Sequence, residues 1–65
     1  MGVDFDKIRT LREAKGLTQE QAAKLAGMSS RQAWNNVESG RQSPTVETLE
    51  RMAKALDRKA KDLLK

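Results

Sequence analysis

The stretch TQEQAAKLAGMSSRQAWNNVESG, from Thr18 to Gly40, decides the fold of this 65-residue chain. Its first part predicts a short helix, because TQEQ forms a capping box in which Thr18 is the N-cap and Gln21 reaches back to it. Gly27 suits the left-handed conformation that ends a helix, so this helix lasts about two turns. Small alanines along it allow a neighbouring helix to approach closely.

A second helix follows the turn and ends near Glu38, before Ser39 and Gly40. Ser29 or Ser30 caps it, and Ser29 fits a capping box better because a glutamine follows three residues later. This helix carries two adjacent asparagines, although asparagine is a mediocre helix former that costs up to ~0.7 kcal/mol against alanine. The asparagines therefore indicate a role other than stability.

The polar and apolar residues of this helix fall on opposite sides, since successive residues turn by about 100°. The inner side holds Ala33, Trp34 and Val37, and we expect Trp34 to be a core residue. The outer side, which we call the polar arc, consists of Arg31, Gln32, Asn35 and Asn36. Asparagine and glutamine match the major-groove edge of adenine, and arginine matches guanine. The arc therefore predicts base reading, with an ordinary solvated surface as the alternative.

Outside this stretch the chain also predicts helices, and no alternating run indicates a strand. A first helix over about 4–15 has an apolar stripe at Phe5, Ile8, Leu11 and Ala14. A fourth starts at Thr45 or Ser43 and has its stripe at Val46, Leu49, Met52, Ala53 and Leu56. A short fifth helix spans roughly 59–64. The predicted fold is an all-α, compact five-helix single domain over residues 1–65.

The amino-acid composition excludes several classes of functional site. The chain has no cysteine and no histidine, which removes disulfides, thiolate metal sites and the usual general base. We therefore expect no enzyme activity, no catalytic residue, no cofactor and no metal.

The net charge is +4, and residues 41–65 carry most of the excess positive charge, with seven basic against four acidic side chains. A basic surface favours an anionic partner. No apolar run is long enough to span a membrane, so we expect a cytoplasmic protein.

The segment from Ile8 to Leu56 resembles the helix-turn-helix domain of phage repressors, Cro proteins and their bacterial relatives, the Xre family. The shared pattern combines GLTQ at the first helix of the motif, a glycine at the turn, ESG after the second helix, and a proline followed by spaced apolar residues. The matching residues are Arg12, Gly16, Leu17, Thr18, Gln19, Ala23, Gly27, Glu38, Gly40, Pro44, Leu49, Met52, Ala53 and Leu56. The resemblance covers residues 5–64 and implies a lambda-repressor-like fold with its motif at about 18–38.

The resemblance also implies roles for particular residues. The helix at 30–38 would lie in the major groove of double-stranded DNA. The residues implied to read bases are Arg31, Gln32 and Asn36, together with Asn35, which lies between them and for which a base or a phosphate contact is open. Those implied to contact phosphates are Thr18, Gln19, Ser30, Arg41 and Gln42. Arg12 and Glu38 are implied to form a structural salt bridge. Between Gly27 and Glu38 the chain is one residue longer than the family pattern, and we expect the extra residue in GMSS.

The implied function is a sequence-specific transcriptional regulator of prokaryotic or phage origin. It would bind a near-palindromic operator as a weak homodimer that DNA stabilises, with Leu63, Leu64 and the loop before the fourth helix as the candidate dimer surface. Phage repressor, restriction-modification controller and antitoxin all remain open as biological roles. The alternative is a protein-interaction or antitoxin-type module on the same scaffold, with DNA binding secondary.

Overall fold

The computed structural model describes residues 2–65, and within this range the helices follow the predicted order. The α-helices are α1 (Phe5–Ala14), α2 (Gln19–Leu25), α3 (Arg31–Glu38) and α4 (Val46–Ala55). The predicted fifth helix at 59–64 is instead a single 3-10 helix, Ala60–Leu63. The side chain of Lys59 does not cap this segment, and so few residues form too few backbone bonds to sustain an α-helix.

Each α-helix begins at a side chain that accepts a hydrogen bond from a backbone N–H of the first turn. The four N-caps are Asp4, Thr18, Ser30 and Thr45. The capping box of Thr18 and Gln21 is present as predicted. The preference for Ser29 as the cap of α3 was wrong, because the hydroxyl of Ser30 accepts from the N–H of Ala33. Thr45, and not Ser43, caps α4.

The turn between α2 and α3 is built on Gly27, which has a φ of +71°. The N–H of Met28 donates to the carbonyl of Ala23 across 2.9 Å, which closes the end of α2 with the six-residue bond typical of a left-handed glycine cap. Three residues separate the C-cap Ala26 from the N-cap Ser30. This is the place where the sequence predicts the extra residue, and α3 continues without interruption from Arg31.

The buried apolar side chains of residues 2–65 form one hydrophobic core among the four α-helices and the 3-10 helix. Its largest fully buried side chains are Trp34, Ile8, Met52, Leu56 and Leu63. Ala22 and Ala23 are also buried, so small side chains let α2 lie close to α3. Val46 departs from its predicted place in the apolar stripe of α4, because it begins the helix at the surface and is 75% exposed.

The two chain ends meet next to this core. The N–H of Asp4 donates to the carbonyl of Leu63 across 2.8 Å, and the N–H of Lys65 donates to the carbonyl of Gly2 across 2.9 Å. This pairing holds Leu63 inside the protein. Leu63 is therefore unavailable for the dimer surface to which the sequence analysis assigned it, and Leu64 is only half-buried.

Candidate nucleic-acid interface

The polar arc lies on the outer side of α3, as its spacing predicts. Arg31 and Gln32 are exposed, while Asn35 and Asn36 are half-buried. On the opposite side of the helix Trp34 is fully buried and Val37 is 3% exposed. The two arc residues nearest the helix start therefore extend furthest from the surface, and the two asparagines lie closer to the protein.

Glu38 ends α3 and is a buried charged residue, 9% exposed. Its carboxylate accepts from Arg12 Nη2 across 3.0 Å, from Gln19 Nε2 across 3.1 Å, and from Trp34 Nε1 across 2.7 Å. Arg12 Nε also faces both carboxylate oxygens, at 3.1 and 3.3 Å, and Arg12 Nη1 donates to the carbonyl of Leu17. A buried charge needs this kind of pairing and hydrogen bonding to be tolerated. The cluster joins α1, α2 and α3 at one point.

The protonation of Glu38 follows from these contacts. Burial alone would raise the pKa of Glu38, because it disfavours the charged form. The hydrogen bonds from Arg12, Gln19 and Trp34, together with the positive charge of Arg12, outweigh burial and lower the pKa from its ordinary value of 4.5. Glu38 is therefore ionised at neutral pH, and the cluster is an ion pair rather than a set of neutral hydrogen bonds.

Gln19 connects this cluster to the polar arc. Its Nε2 donates to Glu38 and also to Asn35 Oδ1, the latter across 3.2 Å. A glutamine amide has two N–H donors, and both are used inside the protein. The side-chain amide therefore has no N–H left for a phosphate. The backbone N–H of Gln19 lies in the first turn of α2, where helical N–H groups have no intrahelical partner.

The other two amides of the arc are bonded to each other. Gln32 Nε2 donates to Asn36 Oδ1 across 2.9 Å, one turn further along α3. The carbonyl of Asn36 in turn accepts from the N–H of Gln42 across 3.0 Å. The arc and the loop that follows α3 are thus joined through Asn36.

The remaining residues assigned to phosphate contact lie around this face. The hydroxyls of Thr18 and Ser30 accept backbone N–H groups as helix caps, which leaves each hydroxyl hydrogen free to donate. Arg41 and Gln42 are exposed in the loop after α3. The bond from Trp34 to Glu38 was missed by the sequence analysis, although their separation of four residues on one helix face is a signal for it.

Within residues 2–65, none of the helices has the length and apolar character needed to cross a membrane. The same residues contain no group of three or more potential metal-ligating side chains of the His, Cys, Asp or Glu type.

Comparison with known proteins connects this geometry to a family. The family model described as a helix-turn-helix domain matches residues 6–64. Among solved structures, the chain is similar to the crystal structure of the restriction-modification controller protein C.AhdI from Aeromonas hydrophila, with a TM-score of 0.87 and 36% sequence identity. The similarity covers 95% of this chain and 94% of that one. A search of curated proteins found no match.

Proposed function

The chain belongs to the helix-turn-helix domain family, and we propose that it is a regulator of transcription that binds double-stranded DNA sequence-specifically, with α3 in the major groove. The polar arc is the observation that carries this proposal. It combines one guanidinium and three amides on a single helix face, and these groups match the hydrogen-bonding edges of guanine and adenine. We propose Arg31, Gln32, Asn35 and Asn36 as the residues facing the base edges.

The contacts that hold α3 in place favour the same function. The helix has a buried tryptophan on its inner side, and the carboxylate at its end is held by Arg12 and Gln19 from two other helices. A reading helix must keep its side chains at fixed distances from the bases, because misplaced donors lose their hydrogen bonds. The buried cluster around Glu38 would supply this rigidity.

We propose that the phosphate backbone is contacted on both sides of α3. Thr18, Ser30, Arg41 and Gln42 would donate from their side chains. Gln19 would donate its backbone N–H at the start of α2, because its side-chain amide is engaged with Asn35 and Glu38. Phosphate contacts of this kind position a protein on the duplex, while the arc would select the sequence.

We propose that two copies bind together on a near-palindromic operator, with their α3 helices in major grooves about 34 Å apart. Leu63 is buried, but Val46, which directly follows the loop before α4, is 75% exposed and is the apolar residue that we assign to this contact. A contact centred on one valine and a short loop is small compared with stable interfaces of ~1,600 Å². The free protein would therefore be a weak dimer that DNA stabilises.

Among the biological roles open to the family, the likeness to a restriction-modification controller over nearly the whole chain favours a controller. We therefore propose that the protein acts in the cytoplasm and controls transcription by binding its operator.

Selection of bound sequences from a random duplex pool tests the proposed function. We expect a single enriched site with two related half-sites separated by one helical turn. The variant in which Arg31, Gln32 and Asn36 are all alanine is the matched control, because these side chains lie outside the core and the fold should survive. Absence of an enriched site with the wild-type protein, at a salt concentration where it still binds duplex DNA, would contradict the proposal.

A further inference from the structure

The amide hydrogen bonds of the polar arc restrict what each residue can offer to a base. Asn35 Oδ1 accepts from Gln19, and Asn36 Oδ1 accepts from Gln32. An unbonded asparagine offers both a donor and an acceptor, and both are needed for the bidentate match to adenine. In each of these two asparagines one lone pair of Oδ1 is engaged by a protein partner, while the Nδ2 group has no hydrogen bond within the described residues.

Gln32 differs from the two asparagines. It gives one hydrogen of Nε2 to Asn36, and this bond sets which way the amide is turned. Its second Nε2 hydrogen and its Oε1 remain. Among the described residues of the arc, Gln32 Oε1 is the one side-chain amide oxygen that accepts no hydrogen bond within the protein. Gln32 is also exposed, and its side chain is longer than that of asparagine.

We infer that the arc is a preset hydrogen-bonding pattern in which Gln32 alone reads adenine, while Arg31, Asn35 and Asn36 act as donors only. This inference rests on the proposed function and deepens it. The remaining hydrogen and the oxygen of Gln32 match N7 and the N6 amino group of one adenine. The three donor-only residues match acceptors: N7 and O6 of guanine, O4 of thymine, or phosphate oxygens.

Asn36 is therefore both a donor to DNA and a positioning residue for Gln32. Removing it releases the Gln32 amide, which can then rotate and lose its preset orientation. Removing Gln32 instead frees Asn36 Oδ1, so Asn36 regains the acceptor that adenine recognition requires. Each substitution is thus expected to change base preference at the base pair that the other residue contacts. Two residues that read bases independently would not show this effect.

The experiment begins with the site that the wild-type protein selects. Each adenine of a half-site is replaced in turn by purine, which lacks the N6 amino group, and affinity is measured by fluorescence anisotropy. We expect one position per half-site at which this replacement weakens wild-type binding by about tenfold. Gln32→Ala should bind the adenine and purine duplexes equally well, because the group that senses the amino group has been removed.

The second arm compares base preference among Gln32→Ala, Asn36→Ala and the double variant. Asn36→Ala should relax base preference at the base pair that Gln32 contacts as well as at the base pair that Asn36 contacts. Gln32→Ala should allow adenine to be bound at the base pair that Asn36 contacts. The loss in the double variant should be smaller than the product of the single losses. Glu50→Ala, at an exposed position of α4 away from the arc, is the control and should leave every preference unchanged. Melting curves verify that all variants fold.

The outcomes separate the two proposals. A specific wild-type site at which no adenine is sensitive to purine replacement would overturn the preset pattern and leave the proposed function intact. Independent, multiplicative effects of the two alanine variants would overturn it equally. Failure of the wild-type protein to select any site would contradict the proposed function itself.

Discussion

Trp34 donates its indole N–H to the carboxylate of Glu38 across 2.7 Å, one turn further along α3. The same carboxylate accepts from Arg12 and Gln19. Gln19 in turn donates to Asn35 on the outer side of α3. A continuous chain of hydrogen bonds therefore runs from the buried tryptophan to the polar arc, and it couples the stability of the fold to the orientation of the recognition face.

Arg12→Ala and Glu38→Ala should each destabilise the protein strongly. Their side chains are only 12% and 5% exposed, and removing one partner of a buried pair costs ~3–5 kcal/mol because the other charge is left without compensation. A core of this size supplies little more than that, so both variants should be largely unfolded at 25 °C by circular dichroism. Arg9→Ala, which breaks the exposed pair with Asp6, should melt like the wild type. Unchanged melting of both buried variants would contradict a stabilising role.

Stability should fall with acid through Glu38. Its pKa in the folded protein is lowered below the ordinary value of 4.5, so its contribution to the free energy of unfolding is complete above that pH. It is lost as the pH falls from 4.5 through the lowered pKa, when the carboxylate becomes protonated.

Urea unfolding at pH values between about 3 and 6 measures this dependence. Glu38→Gln should be less stable at pH 6 and should lose less stability on acidification than the wild type. Asp57→Asn is the control, because Asp57 also has a lowered pKa, through its hydrogen bond with Lys15, but is fully exposed. If the wild type and Glu38→Gln had parallel pH profiles, Glu38 would not be the linked group.

Alanine substitutions at Arg31, Gln32 and Asn36 should separate recognition from folding. Each should cost ~1–3 kcal/mol of binding to the selected operator and relax preference at one or two base pairs per half-site. Non-specific binding should barely change. Asn36→Ala should also gain a few tenths of a kcal/mol in helix stability, reduced by the loss of its bond to Gln32. Altered base preference in a folded Ala33 variant, with these three unaffected, would show that a different face of α3 reads the bases.

Arg41→Ala should weaken binding to all duplexes about equally. The side chain is exposed in the loop after α3, where it would neutralise a phosphate. Affinity measured over a range of salt concentrations should show a slope shallower by about one unit, since one fewer counterion is released. Arg9→Ala provides the control for loss of a positive charge elsewhere. A change in base preference with an unaltered salt slope would identify Arg41 as a base reader instead.

Val46→Ser should lower the cooperativity of operator binding and leave melting unchanged, because Val46 is 75% exposed beside the loop that precedes α4. Leu25→Ser is the matched control, since Leu25 is a second exposed large apolar residue, at 61%, on a different helix. Sedimentation of the wild type should show monomer at low micromolar concentration. A nanomolar dimer in free solution, or equal effects of the two serine variants, would contradict the proposed dimer surface.

Local sequence signals were sufficient for the existence of α1 to α4, the capping box of α2 and the sidedness of α3. Hydrophobic spacing, capping hydroxyls and glycines act over a few residues, so their effect can be read without knowing the fold. They placed the two helices of the motif and separated Trp34 from the polar arc. They were less reliable where two neighbouring residues could serve equally, as with Ser29 and Ser30, or where a short segment lacked strong caps, as at 59–64.

The hydrogen bonds between Gln19, Asn35 and Glu38 depended on the tertiary structure, because they join residues 16 and 19 positions apart. Spacing on one helix indicates which side a residue faces, but not which groups another helix brings to it. The position of Leu63 is the same kind of case. Its apolar character suited a core or an interface equally, and the pairing of the chain ends, 2.8 Å from Asp4 to the Leu63 carbonyl, placed it in the core. Long-range packing decides such choices because it alone determines which polar groups are satisfied and which apolar surfaces remain exposed.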